Sequence, residues 1–285
     1  MLQFQHDITK LIKDLSIEEV ENILPSISLP YPMLYIPSKQ LAFHLVPIPH
    51  KNVELEQQYF LQGLSLKAKQ QNIRLINLSE DFFYTKNAIV AQRIASLLGV
   101  FTRIHARNTT VKRIDKKQLN DFLFSNNLYE SPTARYKYGL FENGKLVAAA
   151  SFSAGRPIER DGKIFRSFEL VRFANLSGYI VAGGLSKLLN HFIKDVGPDD
   201  IMSYADLDWS SGTSYEKLGF KLASITPPQA FWINAQEKIR YYPHKLPQEL
   251  INESTERGIS TEEILSERKY YKFFNSGNLK YLLIS

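Results

Sequence analysis

Apolar positions in "MLQFQHDITKLIKDL" fall on one side of a helical wheel, so the chain is expected to open on an amphipathic helix. Residues 7–24 as a whole read as one or two short helices, with Ser16 as N-cap and Glu19 at the capping-box spacing. "MLYIP" (33–37) and "LAFHLVPI" (41–48) predict a hairpin of two short strands joined by Ser38, Lys39 and Gln40. "ELEQQYFLQGLSLKAKQQN" has helical periodicity and "IRLINL" (73–78) reads as a buried strand. "TKNAIVAQRIASLLG" reads as a helix that Gly99 terminates. These elements suffice for a small α/β layer, with a domain boundary near 100–103.

A second run of elements follows. "TRIHARNTTVKRI" predicts one strand and "DKKQLNDFLFSNN" a helix capped by Asp115. "YKYGLFENGKLVAAASFS" predicts a β-hairpin around Asn143-Gly144, the strongest turn signal in the chain. "KIFRSFELVRFA" continues the sheet, "GGLSKLLNHFIKDV" is a helix entered through two glycines, "DIMSYADL" a strand and "SYEKLGF" a short helix. "FKLASI" and "AFWIN" are expected to close a sheet, and "YYKFFNSGNLKYLLI" to supply a final hairpin after a charged tail.

Composition narrows the class. The 285 residues are 44% hydrophobic and 12% aromatic, which excludes a disordered chain and allows one or two domains. No apolar run approaches the roughly 18–20 residues that span a bilayer, so no membrane partner is expected. Asp7 in the first helix argues against a targeting peptide. The absence of cysteine removes disulfides, thiolate zinc sites and a cysteine nucleophile, and a cytoplasmic address fits. The formal charge of +6 favours polyanionic partners modestly. Arg103, Arg107, Lys112, Arg113, Lys116 and Lys117 gather in one stretch with His105. They read either as a solvated face or as a phosphate-contacting stripe for nucleic acid, DNA above all.

The stretch "SYADLDWSSGTSYEKLGF" (203–220) crowds Asp206, Trp209, Ser210, Ser211 and Tyr215 around one strand-to-helix turn. The order hairpin, strand, Gly-led helix, strand, short helix from residue 103 onward resembles the GNAT acyltransferases. The resemblance implies a strand, "FELVRFA", that splays from its neighbour to admit the arm of an acyl-CoA. It also implies a loop and helix start, "VAGGLSKLL", that offer backbone N–H groups to a pyrophosphate. Gly183, Gly184, Leu185, Ser186 and Lys187 are then cofactor-binding, with acyl-CoA as the cofactor. Val181 and Ser186 depart from the family pattern of Gln/Arg-x-x-Gly-x-Gly/Ala, and the Gly-Gly pair alone reads equally as a tight turn. The same resemblance assigns catalytic roles to four residues. Arg172 would hold a carboxylate or phosphate, Asp206 would act as a base, and Tyr215 would protonate the departing thiolate. Ser186 would add a hydroxyl at the helix start. The plainer readings are an ion pair of Arg172 with Glu169 or Glu216, a turn cap for Asp206, a core ring for Tyr215 and an ordinary N-terminal helix residue for Ser186. Trp209 stacks on a base or packs on the turn.

Six blocks in order, from "RIHARNTTVKRIDKKQLNDFLFSNN" to "FNSGNLKYLL", are also similar to phage homing-endonuclease-like proteins. "LSKLL", "SYAD" and the later Tyr resemble the Mom-type phage DNA modification enzymes more loosely. In the N-terminal part, "MLYIPSKQLAFHLVPIPHK" and the elements to Gly99 resemble a Vsr-like PD-(D/E)xK nuclease core. Its metal-holding Asp, Glu and Lys fall on Met33, His44 and Gly63, so no metal site and no nuclease activity are expected. The acidic pair Glu80-Asp81 matches the end of that core. The expected architecture is α/β, with a degenerate Vsr-like nuclease domain over 1–102 and a GNAT-like domain over 103–285. The function expected is acyl transfer to a nucleobase or nucleic acid; the alternatives are acetyl-CoA-dependent N-acetylation of a protein or small amine, and a non-catalytic DNA-binding remnant.

Overall fold

The computed structural model describes residues 2–15, 20, 21, 31–129, 133–160 and 162–284. Ser16 and Glu19, and with them the expected second N-terminal helix, lie outside these residues. Along the chain run α1 (Leu2–Leu15), β1 (Met33–Ile36), β2 (Leu41–Val46), α2 (Phe60–Gln70), β3 (Arg74–Ser79), α3 (Glu80–Thr85) and α4 (Asn87–Leu98). Next come β4 (Thr102–His105), β5 (Thr110–Arg113), α5 (Lys116–Asn126), β6 (Tyr136–Glu142), β7 (Lys145–Phe152), β8 (Arg156–Arg160), β9 (Lys163–Asn175), β10 (Tyr179–Ala182) and α6 (Gly184–Val196). The last third holds β11 (Asp200–Asp206), α7 (Thr213–Glu216), β12 (Lys221–Ile225), β13 (Ala230–Asn234), β14 (Ile239–Tyr241), α8 (Gln248–Arg257), α9 (Thr261–Glu267), β15 (Tyr270–Phe274) and β16 (Asn278–Ile284). The fold is mixed α/β. No helix among the described residues is long and apolar enough to cross a membrane.

Compactness divides the chain differently from a single cut near 100–103. The first unit comprises 1–87, 206–211 and 225–278, and the second 88–205, 212–224 and 279–285. In the first, β1 and β2 form the expected antiparallel hairpin, and β3 lies parallel to β2. Central β2 is buried at every position, as a strand with neighbours on both edges requires. The amphipathic pattern of α1 is realised by Phe4, Ile8 and Ile12, spaced four apart and all buried. A second sheet, ordered β14-β13-β15, packs Phe231, Ile233 and Phe273 against Val46, Ile48 and Leu61.

Three sequence expectations are corrected here. "FKLASI" and "AFWIN" lie in different sheets, because β13 pairs with β14 and β15. β15 and β16 likewise do not pair as a hairpin. The connection Asn275-Ser276-Gly277 is tied down by its own side chains, Ser276 to Asp208 and Asn275 to the amides of Gln229 and Gly277. The charged tail contains helices α8 and α9, and α9 opens on a reciprocal capping box between Ser260 and Glu263.

The second unit is built on an eight-stranded sheet ordered β12-β16-β11-β9-β7-β6-β5, with β8 added to β9. Asn143 and Gly144 both take positive φ, 50° and 80°, as the two-residue hairpin between β6 and β7 demands. The expected single strand 102–114 is broken in two. Residues Ala106–Asn108 turn, Thr109 Oγ1 donates to the Ala106 carbonyl at 2.7 Å, and β4 pairs with β10 while β5 pairs with β6. Asp115 caps α5 and forms a capping box with Gln118.

The two faces of this sheet carry different helices. Phe192 of α6 stacks on Phe152 of β7 with ring centroids 3.9 Å apart and meets Phe168 and Tyr138 edge-on. Leu119, Phe122 and Leu123 of α5 pack on Ala149 and Ala174, which point the opposite way.

Candidate functional site

The central feature of the second unit is a fork between β9 and β11. These parallel strands pair from Ser167/Asp200 to Leu170/Ser203 and no further. β9 continues to Asn175 paired with β7, so its segment after Leu170 has lost the β11 edge. Between Ser151 and Phe152 the register with β7 shifts, leaving Val171 as a bulged residue at the mouth of the fork.

Side chains occupy the backbone groups that the fork strands. Ser203 Oγ lies 3.0 Å from the Leu170 carbonyl and 3.0 Å from the Tyr215 hydroxyl. A serine hydroxyl has one proton and a carbonyl can only accept, so Ser203 donates to Leu170 and accepts from Tyr215. Burial raises the Tyr215 phenol above its ordinary pKa, against the opposing pull of the Arg172 charge. Its ring stacks on Tyr281 and meets Phe220 edge-on. Tyr215 is therefore both a packed ring and a hydroxyl placed at the fork.

Arg172 sits two residues past the last β9–β11 pair. Its Nη1 donates to the Val171 carbonyl at 2.8 Å, and its guanidinium carbon lies 5.7 Å from the Tyr129 ring centroid. It forms no ion pair with Glu169 or Glu216 among the described residues. Its Nε is buried without a hydrogen-bond partner, as is the hydroxyl of Ser151, the residue directly opposite on β7.

The Gly-Gly entrance to α6 is explained by local geometry. Gly183 takes φ 77°, and a Cβ on Gly184 would come within 3.0 Å of Val181 Cβ. No side chain caps the first turn, in which Leu185 and Ser186 are partly exposed. Lys187 is otherwise engaged. Its ammonium donates to the carbonyls of Ala106, at 2.8 Å, and Thr109, which ties α6 to the β4–β5 turn.

Asp206 falls in the first unit, where its Oδ1 accepts from the Asp208 amide at 2.9 Å in an Asx turn. Trp209 is 3% exposed, so its ring packs in the turn and offers no face for a base. Arg103, Arg107, Lys112, Arg113, Lys116 and Lys117 are all exposed. Two of them are held in ion pairs, Arg113 with Asp195 and Lys117 with Asp121.

Two of the three residues at the nuclease positions, Met33 and His44, lie in the core of the first unit, and Gly63 is exposed. Met33 and His44 stand opposite one another on β1 and β2, both buried, while a Cβ at Gly63 would meet nothing within 4 Å. His44 Nδ1 bonds Asn77 Oδ1 at 2.9 Å, and Asn77 Nδ2 donates to Ser65 and Ser276. Ser276 in turn donates to Asp208. Desolvation lowers His44 to a pKa of about 4 and pushes the Asp208 carboxyl up to about 7. Asp81 is clasped by Arg240 and Ser79, and Glu80 Oε2 accepts from the Ile48 amide.

Of the residues now seen around the fork, the sequence had pointed to Arg172 and Tyr215 but not to Ser151, Ser203 or Tyr129. The available signal was a hydroxyl at the end of the otherwise apolar run "LVAAAS", where a serine is buried at the cost of a partner.

No protein-family model matches the chain, and no curated protein matches it in sequence. Among solved structures, a Bacillus subtilis acetyltransferase in complex with CoA is similar with a TM-score of 0.38 and 13% identity, over 62% of this chain and 99% of that one. The ribosomal-protein-S18-alanine N-acetyltransferase of Escherichia coli is similar with a TM-score of 0.37 and 16% identity, over 62% and 93%. A GNAT family acetyltransferase from Elizabethkingia anophelis with acetyl-CoA bound gives 0.33 and 14%, over 62% and 99%. Likenesses this loose carry no functional argument, and none of these comparisons shows the expected similarity to phage proteins.

Proposed function

We propose that the second unit is a GNAT-like acyltransferase that moves an acyl group from acyl-CoA to an amine. The observation that carries this reading is the fork that opens after Leu170 and Ser203, with the Tyr215 hydroxyl held at its mouth. The residues present fit an acyl-CoA. The parting of β9 from β11 after Leu170 leaves a gap for an amide-bearing arm, and the first turn of α6, which no side chain caps and whose glycine a side chain would crowd, suits a pyrophosphate. When bound, the thioester supplies an activated acyl carbon. Tyr215 supplies the proton that a departing thiolate needs, and burial keeps that phenol protonated through neutral pH. Ser203, itself fixed by the Leu170 carbonyl, holds the phenol oxygen at the mouth of the fork. The phenol proton swings from Ser203 to the thiolate as it leaves, and the attacking amine gives up a proton to solvent, from which the phenol is restored. Lys187 holds the helix entrance and is given no role toward the cofactor.

The lack of cysteine makes the test clean, because a thiol reagent has no background from the protein. Calorimetry with acetyl-CoA and CoA should show binding, and thiol release should require an added amine. No binding of either compound would remove the proposal.

A nucleobase acceptor is the second reading. Arg103, Arg107, Lys112 and Lys116 favour it, being exposed cations outside the ion pairs that hold Arg113 and Lys117. It predicts DNA binding that weakens steeply with salt, and altered nucleosides in cells that make the protein.

A further inference from the structure

We infer that the acceptor amine carries a carboxylate, received by the unpartnered Nε edge of Arg172 together with the hydroxyl of Ser151. This deepens the acyl-transfer reading and rests on it for the word acceptor, while the binding site itself stands on geometry alone.

Two buried polar atoms without partners lie opposite each other on adjacent strands: Arg172 Nε and Ser151 Oγ. Leaving either unsatisfied costs free energy, so a bound group that pairs with both at once is favoured. The guanidinium is also oriented. Nη1 is spent on the Val171 carbonyl, so the remaining pair of donors is the side-on edge formed by Nε and Nη2. That edge is a planar two-donor fork whose spacing matches the two oxygens of a carboxylate.

The face of the sheet separates acceptor from donor. Ser151 alternates with Ala150 and Phe152 and so shares its face with Ala149, which packs under α5. Arg172, opposite Ser151, shares that face with Ala174 and lies over Tyr129, just beyond the end of α5. Helix α6, the proposed donor helix, packs on the opposite face through Phe192 and Phe152. An anion on Arg172 thus belongs to the molecule that enters from the α5 side. An α-amino acid supplies both the amine and the planar anion.

Arginine Nε–H resonances of the full chain report this directly. The Arg172 signal, assigned by its loss in Arg172→Lys, should shift on adding acetate or L-alanine, and stay still with ethylamine or chloride. In thiol-release assays with acetyl-CoA, alanine and leucine should serve better than ethylamine and isopentylamine. Arg172→Lys, which keeps the charge but loses the fork, should raise the amino-acid KM at least about tenfold with the acetyl-CoA KM unchanged. Ser151→Ala should raise it about threefold. An Arg172 signal indifferent to carboxylates overturns the inference, and so does one moved by inorganic phosphate but not acetate. Arg172-dependent preference for succinyl-CoA over acetyl-CoA, with amines and amino acids equal, would move the anion onto the donor and overturn it too. If carboxylates shift the signal and no acyl-CoA is turned over, the carboxylate site stands and the transfer reading falls.

Discussion

The Tyr215 hydroxyl rests 3.0 Å from that of Ser203, at the point where β9 and β11 cease to pair. A phenol so placed is positioned by one short contact with a strand residue. Tyr215→Phe should lower kcat about a hundredfold while leaving the KM for acyl-CoA unchanged. Because the phenol's pKa is raised, its acid form persists as pH climbs, so the alkaline limb of kcat should fall only above pH 10. A wild-type alkaline limb near neutrality would assign the essential acid elsewhere.

Gly212 governs the same phenol from the other side. It opens α7 at φ 81°, and a Cβ there would come within 2.7 Å of the ring of Tyr281, which stacks on Tyr215. Gly212→Ala should cost about 1–3 kcal/mol of stability and reduce turnover together with it. Thermal unfolding measured beside kcat checks both. An alanine that leaves the two unchanged would show that Tyr281 is free to move.

Arg240 and Asp81 form an ion pair with side chains only 7% and 1% exposed, and Phe82 and Phe231 flank the guanidinium. Removing one charge leaves the other buried and unpaired. Asp81→Ala should destabilise the protein by about 3–5 kcal/mol, read by urea denaturation. A loss below about 1 kcal/mol would mean that water reaches the pair.

His44 and Asp208 lie at the two ends of one chain of hydrogen bonds and give opposite pH dependences. Asp208 is raised to about 7, so its contribution is complete below its unfolded value and lost as pH rises through 7. His44 is lowered to about 4, so its contribution is complete above its unfolded value of 6.5 and lost as pH falls through 4. Between these limits the slopes cancel, and the wild type should show a flat profile there. Asp208→Asn should leave stability rising with pH between 4 and 6.5, by at most about 1.4 kcal/mol per unit. His44→Gln should leave it falling. Parallel, unchanged slopes in both variants would disprove the pairing.

Local signals in the sequence were legible wherever one residue type dictates the backbone. Asn143-Gly144, Asp115 with Gln118, and the left-handed Gly99 all appear as read. The apolar face of α1 does too. Partner choice among strands was not legible. "TRIHARNTTVKRI" has one continuous strand-like pattern, yet carbonyl contacts from Lys187, far along the chain, stabilise a break in it. β15 and β16 are adjacent in sequence with a glycine between them, but Ser276 is anchored to Asp208 and the strands join different sheets. In the candidate site, the resemblance to GNAT acyltransferases directed attention to Arg172 and Tyr215, which the structure places beside the fork. Ser151 was not legible, because an unsatisfied hydroxyl is defined by its three-dimensional surroundings.

Neither compact unit is a continuous stretch of chain: the first takes its final residue at 278, and the second is closed by the segment from 279 to the end. During synthesis, β1, β2 and β3 therefore leave the ribosome long before Phe231, Ile233 and Phe273, the residues that cover Val46 and Leu61. Those apolar surfaces stay uncovered until Phe273 has been made. A stop codon or protease cut anywhere before the last strand would leave two unfinished cores, so fragments of this protein should be found in the insoluble fraction or degraded.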